Sequence, residues 1–135
     1  MLLSKHPRFA QFFLMVCLIG ITCTATASAQ ENMHHSQMFK GAKANTGSVI
    51  HSTENGMQVL TLSDDFVTPD TPAPHWQVVD SSGHVYLLNR LKIKGDKFNK
   101  TIKLPAYIKD VAKVQIWCAW AEALLGEAAF DSVQK

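Results

Sequence analysis

Cysteine is the residue type best suited to chemistry in this chain, and its positions limit what that chemistry can be. The three cysteines of the 135-residue sequence are Cys17, Cys23 and Cys118. No C-x-x-C-H run occurs for covalent attachment of a c-type haem, and no C-x-x-C pair supports dithiol exchange or a structural zinc site. Every histidine precedes Cys118 and no methionine follows Met57, so the downstream ligands of a blue-copper centre are missing. The G-x-S-x-G and H-E-x-x-H motifs of hydrolases are also absent.

Cys118 ends the most strand-prone run of the sequence, which begins at Val114. Because side chains alternate between the two faces of a strand, Cys118 shares a face with Val114 and Ile116 and is predicted to point into the core. A thiol buried among apolar side chains has a raised pKa and is chemically inert. Two active alternatives stay open: non-covalent binding of haem by Cys118 with His75 opposite, and a nucleophile–base pair of the same two residues.

The histidines supply the second set of candidate ligands. His34 and His35 lie beside Met33 and Met38, and these residue types together can bind a soft metal such as copper. The alternative for this segment is an ordinary disordered tail. His75 begins a predicted strand directly after a proline-rich loop, where it is either a ligand at the rim of a sheet or a surface imidazole beside a packed aromatic ring.

Residues 1–29 have the three parts of a secretory signal peptide. Lys5 and Arg8 supply a basic start, Phe9–Cys23 is almost wholly apolar, and Ala27-Ser28-Ala29 forms an Ala-x-Ala cleavage site. The apolar run has 15 residues, short of the roughly 20 that a membrane-spanning helix needs. We therefore predict cleavage after Ala29 and a secreted or periplasmic protein, attached to a membrane only if the leader stays uncleaved.

Cleavage of the signal peptide would change the length, the net charge and the number of cysteines, from which possible classes of function are inferred. The predicted mature chain has 106 residues, 11 basic and 11 acidic side chains, and Cys118 as its one cysteine. That length fits a single domain, and a net charge of zero gives no basis for binding a nucleic acid. Residues 30–45 are polar and without periodicity, and we expect them to form a flexible tether ahead of a domain at 46–131.

The elements that must position these side chains are strands. Two apolar runs at 48–51 and 57–62 flank Asn55-Gly56, the strongest short-range signal for a β-hairpin. A loop with three prolines follows at 64–74, then a second hairpin at 75–79 and 84–88, and further strands near 98–104 and 114–118. Short strands separated by frequent turn signals predict an all-β fold, a compact antiparallel β-sandwich or barrel. The segment 119–125 is rich in helix formers and ends at Gly126, so a short helix is the alternative there.

The order of these motifs resembles the DM-thirteen domain, the "electron-transfer" domain of Skeletor-type proteins and of many bacterial secreted proteins. The run Val114-Gln115-Ile116-Trp117-Cys118, followed by Gly126 and Ala128, is similar to the C-terminal signature of that family. The resemblance covers about residues 39–131. It is supported in order by Phe39-Lys40-Gly41, Gly47-x-Val49, Leu60-x-Leu62 with Asp65-Phe66, the loop ending at Pro74, Tyr86–Leu91 and Ile102-x-Leu104-Pro105.

The resemblance implies an exported β-sandwich-like domain whose cysteine, here Cys118, works in redox chemistry as a bare thiol or by holding haem. It also implies a strand at 119–125 with Ala121, Ala123 and Leu125 facing inward. Because relatives join this domain to further redox domains that this chain lacks, the electron partner would be a separate protein. We therefore expect a redox or electron-transfer role centred on Cys118 rather than a stand-alone enzyme. The alternative is a non-enzymatic binding or adhesion module that uses the proline-rich loop and exposed tryptophans, with a structural cysteine.

Overall fold

The computed structural model describes residues 32–95 and 97–135, so the predicted signal peptide at 1–29 lies outside the described residues. The described part is all-β, as predicted. Its strands are β1 (His34–His35), β2 (Val49–Glu54), β3 (Met57–Leu62), β4 (Pro74–Val79), β5 (Val85–Arg90), β6 (Lys92–Lys94), β7 (Lys97–Phe98), β8 (Thr101–Lys103), β9 (Val111–Cys118) and β10 (Ala123–Gln134). No helix in these two ranges has the length and apolar character needed to cross a membrane.

Two antiparallel four-stranded sheets pack face to face as a β-sandwich. The first sheet has the order β1-β2-β3-β8 and the second the order β10-β9-β4-β5, while β6 and β7 form a small separate ribbon. Apolar side chains from both sheets fill the space between them, with Leu60 and Leu62 on one side and Trp76, Val114 and Ile116 on the other, all fully buried. This core holds β9, and therefore Cys118, in a fixed place.

The first hairpin forms as the sequence predicts. β2 and β3 pair antiparallel from Val49↔Leu62 to Glu54↔Met57. Between them Asn55 and Gly56 have φ values of 49° and 76°, the positive φ at both central residues that a type I′ turn requires. The second predicted hairpin is also present as β4 and β5, joined by a turn that contains Gly83.

The prediction that residues 30–45 form a flexible tether is wrong for the part of this segment that the structure describes. Between residues 36 and 44 the backbone is hydrogen-bonded to both sheets, and we call residues 34–44 the N-terminal strap. Ser36 N donates to Val49 O of the first sheet at 2.8 Å, and Gln37 N donates to Ala129 O of the second at the same distance. Phe39, only 1% exposed, inserts into the core. The strap contains too few apolar residues for any periodicity to reveal it, although one buried aromatic ring is enough to dock it.

Close backbone approach fixes the strap against β10. Gly41 and Gly126 face each other, and a Cβ added at Gly126 would overlap the carbonyl oxygen of Ala44. Lys40 and Glu127 form an antiparallel bridge beside this contact, with Lys40 N donating to Glu127 O at 2.9 Å. Glycine is therefore required at position 126 by space rather than by backbone conformation.

The short helix considered for 119–125 does not form. Residues 119–122 make a turn in which Glu122 has φ 50°, and β10 begins at Ala123, which pairs with Cys118. The strand at 119–125 implied by the family resemblance is also wrong for its first four residues, since Ala121 is exposed in the turn while Leu125 is buried. Pairing along β9 outweighs local helix propensity, which is a weak preference by comparison with tertiary packing.

Candidate thiol site

Cys118 is the last residue of β9 and faces the core, as the strand periodicity predicts. Val114 and Ile116 on the same face are fully buried, and Cys118 is 1% exposed. It lies opposite Pro74 of β4 on one side and opposite Ala123 of β10 on the other. The thiol thus occupies the end of the second sheet, at the point where the chain leaves β9.

Backbone N–H groups from two separate segments converge on the sulfur atom. The N–H groups of Ala121 and Trp120, in the turn that follows β9, lie close enough to Cys118 Sγ to influence its pKa, and so does the N–H group of Ala73 in the loop before β4. The two segments are held together because Ala119 N donates to Ala73 O at 2.9 Å. Such a concave group of backbone N–H donors is the arrangement that binds anions in proteins.

These donors reverse the effect of burial on the thiol. Hydrogen bonds to the sulfur, the strongest from Ala121 N–H, lower the pKa of Cys118 and outweigh the desolvation that raises it. The sequence-based expectation was a raised pKa and an inert thiol, because an apolar environment alone favours the neutral form. The structure gives the opposite direction, since the donors belong to the backbone and leave no trace in the residue types.

Thr71 completes the surroundings of the thiol. Its hydroxyl oxygen is buried and makes no hydrogen bond of normal geometry with the protein. The same hydroxyl faces Cys118, where it adds the weakest of the contributions that lower the pKa of the thiol. Buried polar groups without a partner are rare in folded proteins, so this hydroxyl is held ready to donate to a charged sulfur.

Only a thin layer of chain separates the sulfur from solvent. Trp120 in the covering turn is 76% exposed, and Ala121 and Pro72 are exposed as well. A turn with exposed side chains and no packed core of its own is the kind of segment that opens locally at low free energy. The thiol is therefore enclosed in the folded state but lies close to the surface.

His75 is not brought together with Cys118. It pairs with Trp117 across β4 and β9, whereas Cys118 pairs with Pro74, so the two side chains lie on opposite faces of the second sheet. The His75 ring instead bonds the carbonyl oxygen of Ala73 through Nδ1 at 2.8 Å. This bond assigns the hydrogen to Nδ1 and anchors the loop that supplies one donor to the sulfur. Neither a nucleophile–base pair nor a pair of axial ligands can form from these positions.

The residues around Cys118 do not fit a haem group. Cys118 is only 1% exposed, and the covering turn and loop place backbone N–H groups near the sulfur where a haem iron would have to approach. Neither of two surface cavities of about 370 and 330 Å³ is lined by Cys118 or His75. The non-covalent haem that the sequence left open therefore has no place at this thiol without rearrangement of its cover.

The two histidines predicted to bind a soft metal lie next to each other in β1. Adjacent residues in a strand point to opposite faces, so His34 and His35 are directed away from each other. His34 faces His51 of β2, with 6.4 Å between the ring centroids. In residues 32–95 and 97–135, no group of three or more His, Cys, Asp or Glu side chains is placed to hold a metal ion.

Comparison with known proteins adds no further constraint on this site. No family model, no curated protein and no solved structure matches the chain. The residues that sequence reasoning missed are Thr71, Ala73 and His51. Thr71 and Ala73 lie within the proline-rich loop at 64–74, and His51 had no signal beyond its place in the predicted strand at 48–51.

Proposed function

We propose that this chain is an exported domain whose function is thiol-based redox chemistry at Cys118, as the resemblance to the DM-thirteen family implies. The observation that carries the proposal is the convergence of backbone N–H groups from Ala73, Trp120 and Ala121 on the sulfur. A cysteine retained only for packing needs no anion-stabilising surroundings. The thiolate is the form of cysteine that reacts with oxidants and disulfides.

The proposed reaction is the two-electron oxidation of the thiolate by a peroxide. The Cys118 sulfur attacks one peroxide oxygen, an S–O bond forms, the O–O bond breaks, and the second oxygen leaves as hydroxide or alkoxide. The sulfur is oxidised to sulfenic acid and the peroxide is reduced. A thiol of a partner protein then displaces the sulfenic oxygen as water and forms a mixed disulfide, which a second partner thiol reduces.

The partner must be a separate protein in this scheme. Cys118 is the single cysteine of the predicted mature chain, so no second thiol is available to resolve the sulfenic acid within the same molecule. The partner leaves with a disulfide and Cys118 returns to the thiol, which balances the two electrons delivered to the peroxide. The domain would thus pass oxidising equivalents from a small molecule to a dithiol protein.

The test measures sulfenic acid formation in the folded protein. Purified protein is treated with hydrogen peroxide and dimedone, and labelling of Cys118 is followed by mass spectrometry, with Cys118→Ser as the blank. The same rate is measured in a destabilised variant, Phe39→Leu. A reactive site gives a labelling rate that is the same in both proteins, because access requires only local opening of the turn. A rate that rises with the equilibrium constant for global unfolding would show a structural cysteine and refute the proposal.

One observation favours the alternative, a non-enzymatic binding or adhesion module. Trp120 is 76% exposed at the tip of the turn, and tryptophan is enriched among the residues that dominate binding energy at protein interfaces. This function requires that Trp120→Ala abolishes binding while Cys118→Ser leaves it intact. The redox function requires that Cys118→Ser abolishes peroxide-dependent oxidation of the partner.

A further inference from the structure

His51 is a buried histidine with one ring nitrogen unsatisfied. It lies in the middle of the first sheet on β2 and is 2% exposed. Its Nε2 is 3.0 Å from Gln58 Oε1, and the Gln58 amide nitrogen donates to Ile108 O at 2.9 Å. Because this second bond fixes which end of the amide is the oxygen, Nε2 must carry the hydrogen that Gln58 Oε1 accepts.

The other nitrogen, Nδ1, is therefore unprotonated and has a free lone pair. It is buried and has no hydrogen-bond partner in the structure. Burial is also the largest influence on this ring and lowers the pKa of His51, so the imidazole stays neutral near pH 7. A neutral imidazole with an unused nitrogen is the form of histidine that binds a metal ion. Buried polar atoms without a partner are rare in folded proteins, and a bound ion is one explanation for such an atom.

A second histidine lies directly across the strand pair. His34 of β1 is the register partner of His51, and residues paired in this way project from the same face of a sheet. The centroids of the two rings are 6.4 Å apart and the ring planes are tilted by 47°. His34 is exposed, so its ring is free to change rotamer. The ring of the buried Phe130 packs edge-on against His51, with 6.2 Å between the ring centroids.

We propose that His34 and His51 Nδ1 form a two-histidine site for a borderline divalent transition metal ion, zinc or copper(II). Two imidazoles bound to one tetrahedral ion through bonds of about 2.1 Å have ring centroids roughly 5.3 Å apart. The observed 6.4 Å is longer by about 1 Å, and the exposed His34 ring must turn towards His51 to close this gap when the ion binds. Water completes the coordination on the exposed side of β1, where the ion enters. This site differs from the soft-metal site that the sequence predicts at His34 and His35, because it uses the buried His51 of β2 as a ligand and excludes His35.

The test is a zinc titration of the mature protein followed by isothermal calorimetry and by NMR of the ¹⁵N-labelled histidine rings. We expect one zinc ion per chain and a selective shift of the His51 Nδ1 resonance. His34→Ala should lower the association constant at least about tenfold, since even the loss of groups that only support a ligand has an effect of about 10- to 100-fold. His35→Ala, its matched control on the opposite face of the same strand, should stay within about twofold of the wild type.

Two further variants keep the result interpretable. His51→Gln should lower the association constant for zinc as His34→Ala does, and circular dichroism checks that this variant is folded. If His51→Gln is unfolded, the result with His34→Ala alone tests the proposal, because that variant alters only an exposed side chain. Cys118→Ser should bind zinc as the wild type does. The proposal would be overturned if zinc affinity fell equally in His34→Ala and His35→Ala, or did not fall in His34→Ala. It would also be overturned if the His51 Nδ1 resonance did not shift, or if Cys118→Ser lost zinc binding.

Discussion

Replacement of Phe39 by alanine tests whether the N-terminal strap is part of the domain. Phe39 is 1% exposed and packs against Phe66 with 5.2 Å between the ring centroids. An aromatic side chain buries about 150–250 Å², which at roughly 25 cal/mol per Å² corresponds to about 4–6 kcal/mol. Measured Phe→Ala changes in protein cores cost about 3–5 kcal/mol. We therefore expect Phe39→Ala to lower the free energy of unfolding by about 4 kcal/mol, a large part of the roughly 5–15 kcal/mol of a typical domain.

The assay is urea unfolding monitored by tryptophan fluorescence, which changes as the buried Trp76 becomes exposed. The matched control is Met38→Ala at the adjacent, 57% exposed position, which should change the free energy of unfolding by no more than about 0.5 kcal/mol. If Phe39→Ala also costs less than about 1 kcal/mol, a small value for any mutation in a core, the segment is the flexible tether that its composition indicates, and the strap is refuted.

The remaining predictions concern two glycines and His51. Gly126→Ala should cost more than about 3 kcal/mol in thermal or urea unfolding, because its Cβ would overlap the backbone of Ala44. Gly56→Ala, which meets no atom within 4 Å and has φ +76°, should cost only the roughly 1–2 kcal/mol of a left-handed residue; equal costs would refute the close approach of strap and β10. Burial lowers the pKa of His51 from 6.5, so below that pH the unfolded chain binds more protons than the folded one. The stability that the neutral His51 contributes is thus complete above pH 6.5, and it falls as the pH decreases towards the lowered pKa of the folded state. The difference in the free energy of unfolding between the wild type and His51→Gln should show this pH dependence. A difference that does not change with pH would contradict the prediction.

The parts of the fold that the sequence predicts correctly depend on local physics. Asn55-Gly56 specifies its turn through backbone conformation alone, and the alternation of Val114, Ile116 and Cys118 follows from the geometry of one strand. The turn at 119–122 was not predictable in this way. Its residues favour a helix, and only the pairing of Ala123 with Cys118 on a neighbouring strand makes the chain reverse there.

The candidate site shows the same division between local and long-range information. The residue type and orientation of Cys118 are evident from the sequence, whereas the direction of its pKa depends on backbone N–H groups from two segments that the fold brings together. His51 and His34 are 17 positions apart, and their register across β1 and β2 became visible only when the supposed tether proved to be a strand. Residue types indicate which side chains have chemistry available; the topology decides which of them meet.

The central claim is that the fold lowers the pKa of the Cys118 thiol, and the pH dependence of its alkylation tests this most directly. The rate of reaction with iodoacetamide is measured from about pH 5 to pH 10, a range that spans the ordinary pKa of a thiol, in folded protein and in protein unfolded by guanidinium. Since only the thiolate reacts and the backbone donors lower the pKa of Cys118, the folded protein should reach half of its maximal rate at a lower pH than the unfolded protein. A midpoint equal to or above that of the unfolded protein would contradict the account, because it would mean that the thiol reacts only after unfolding or is held in its neutral form.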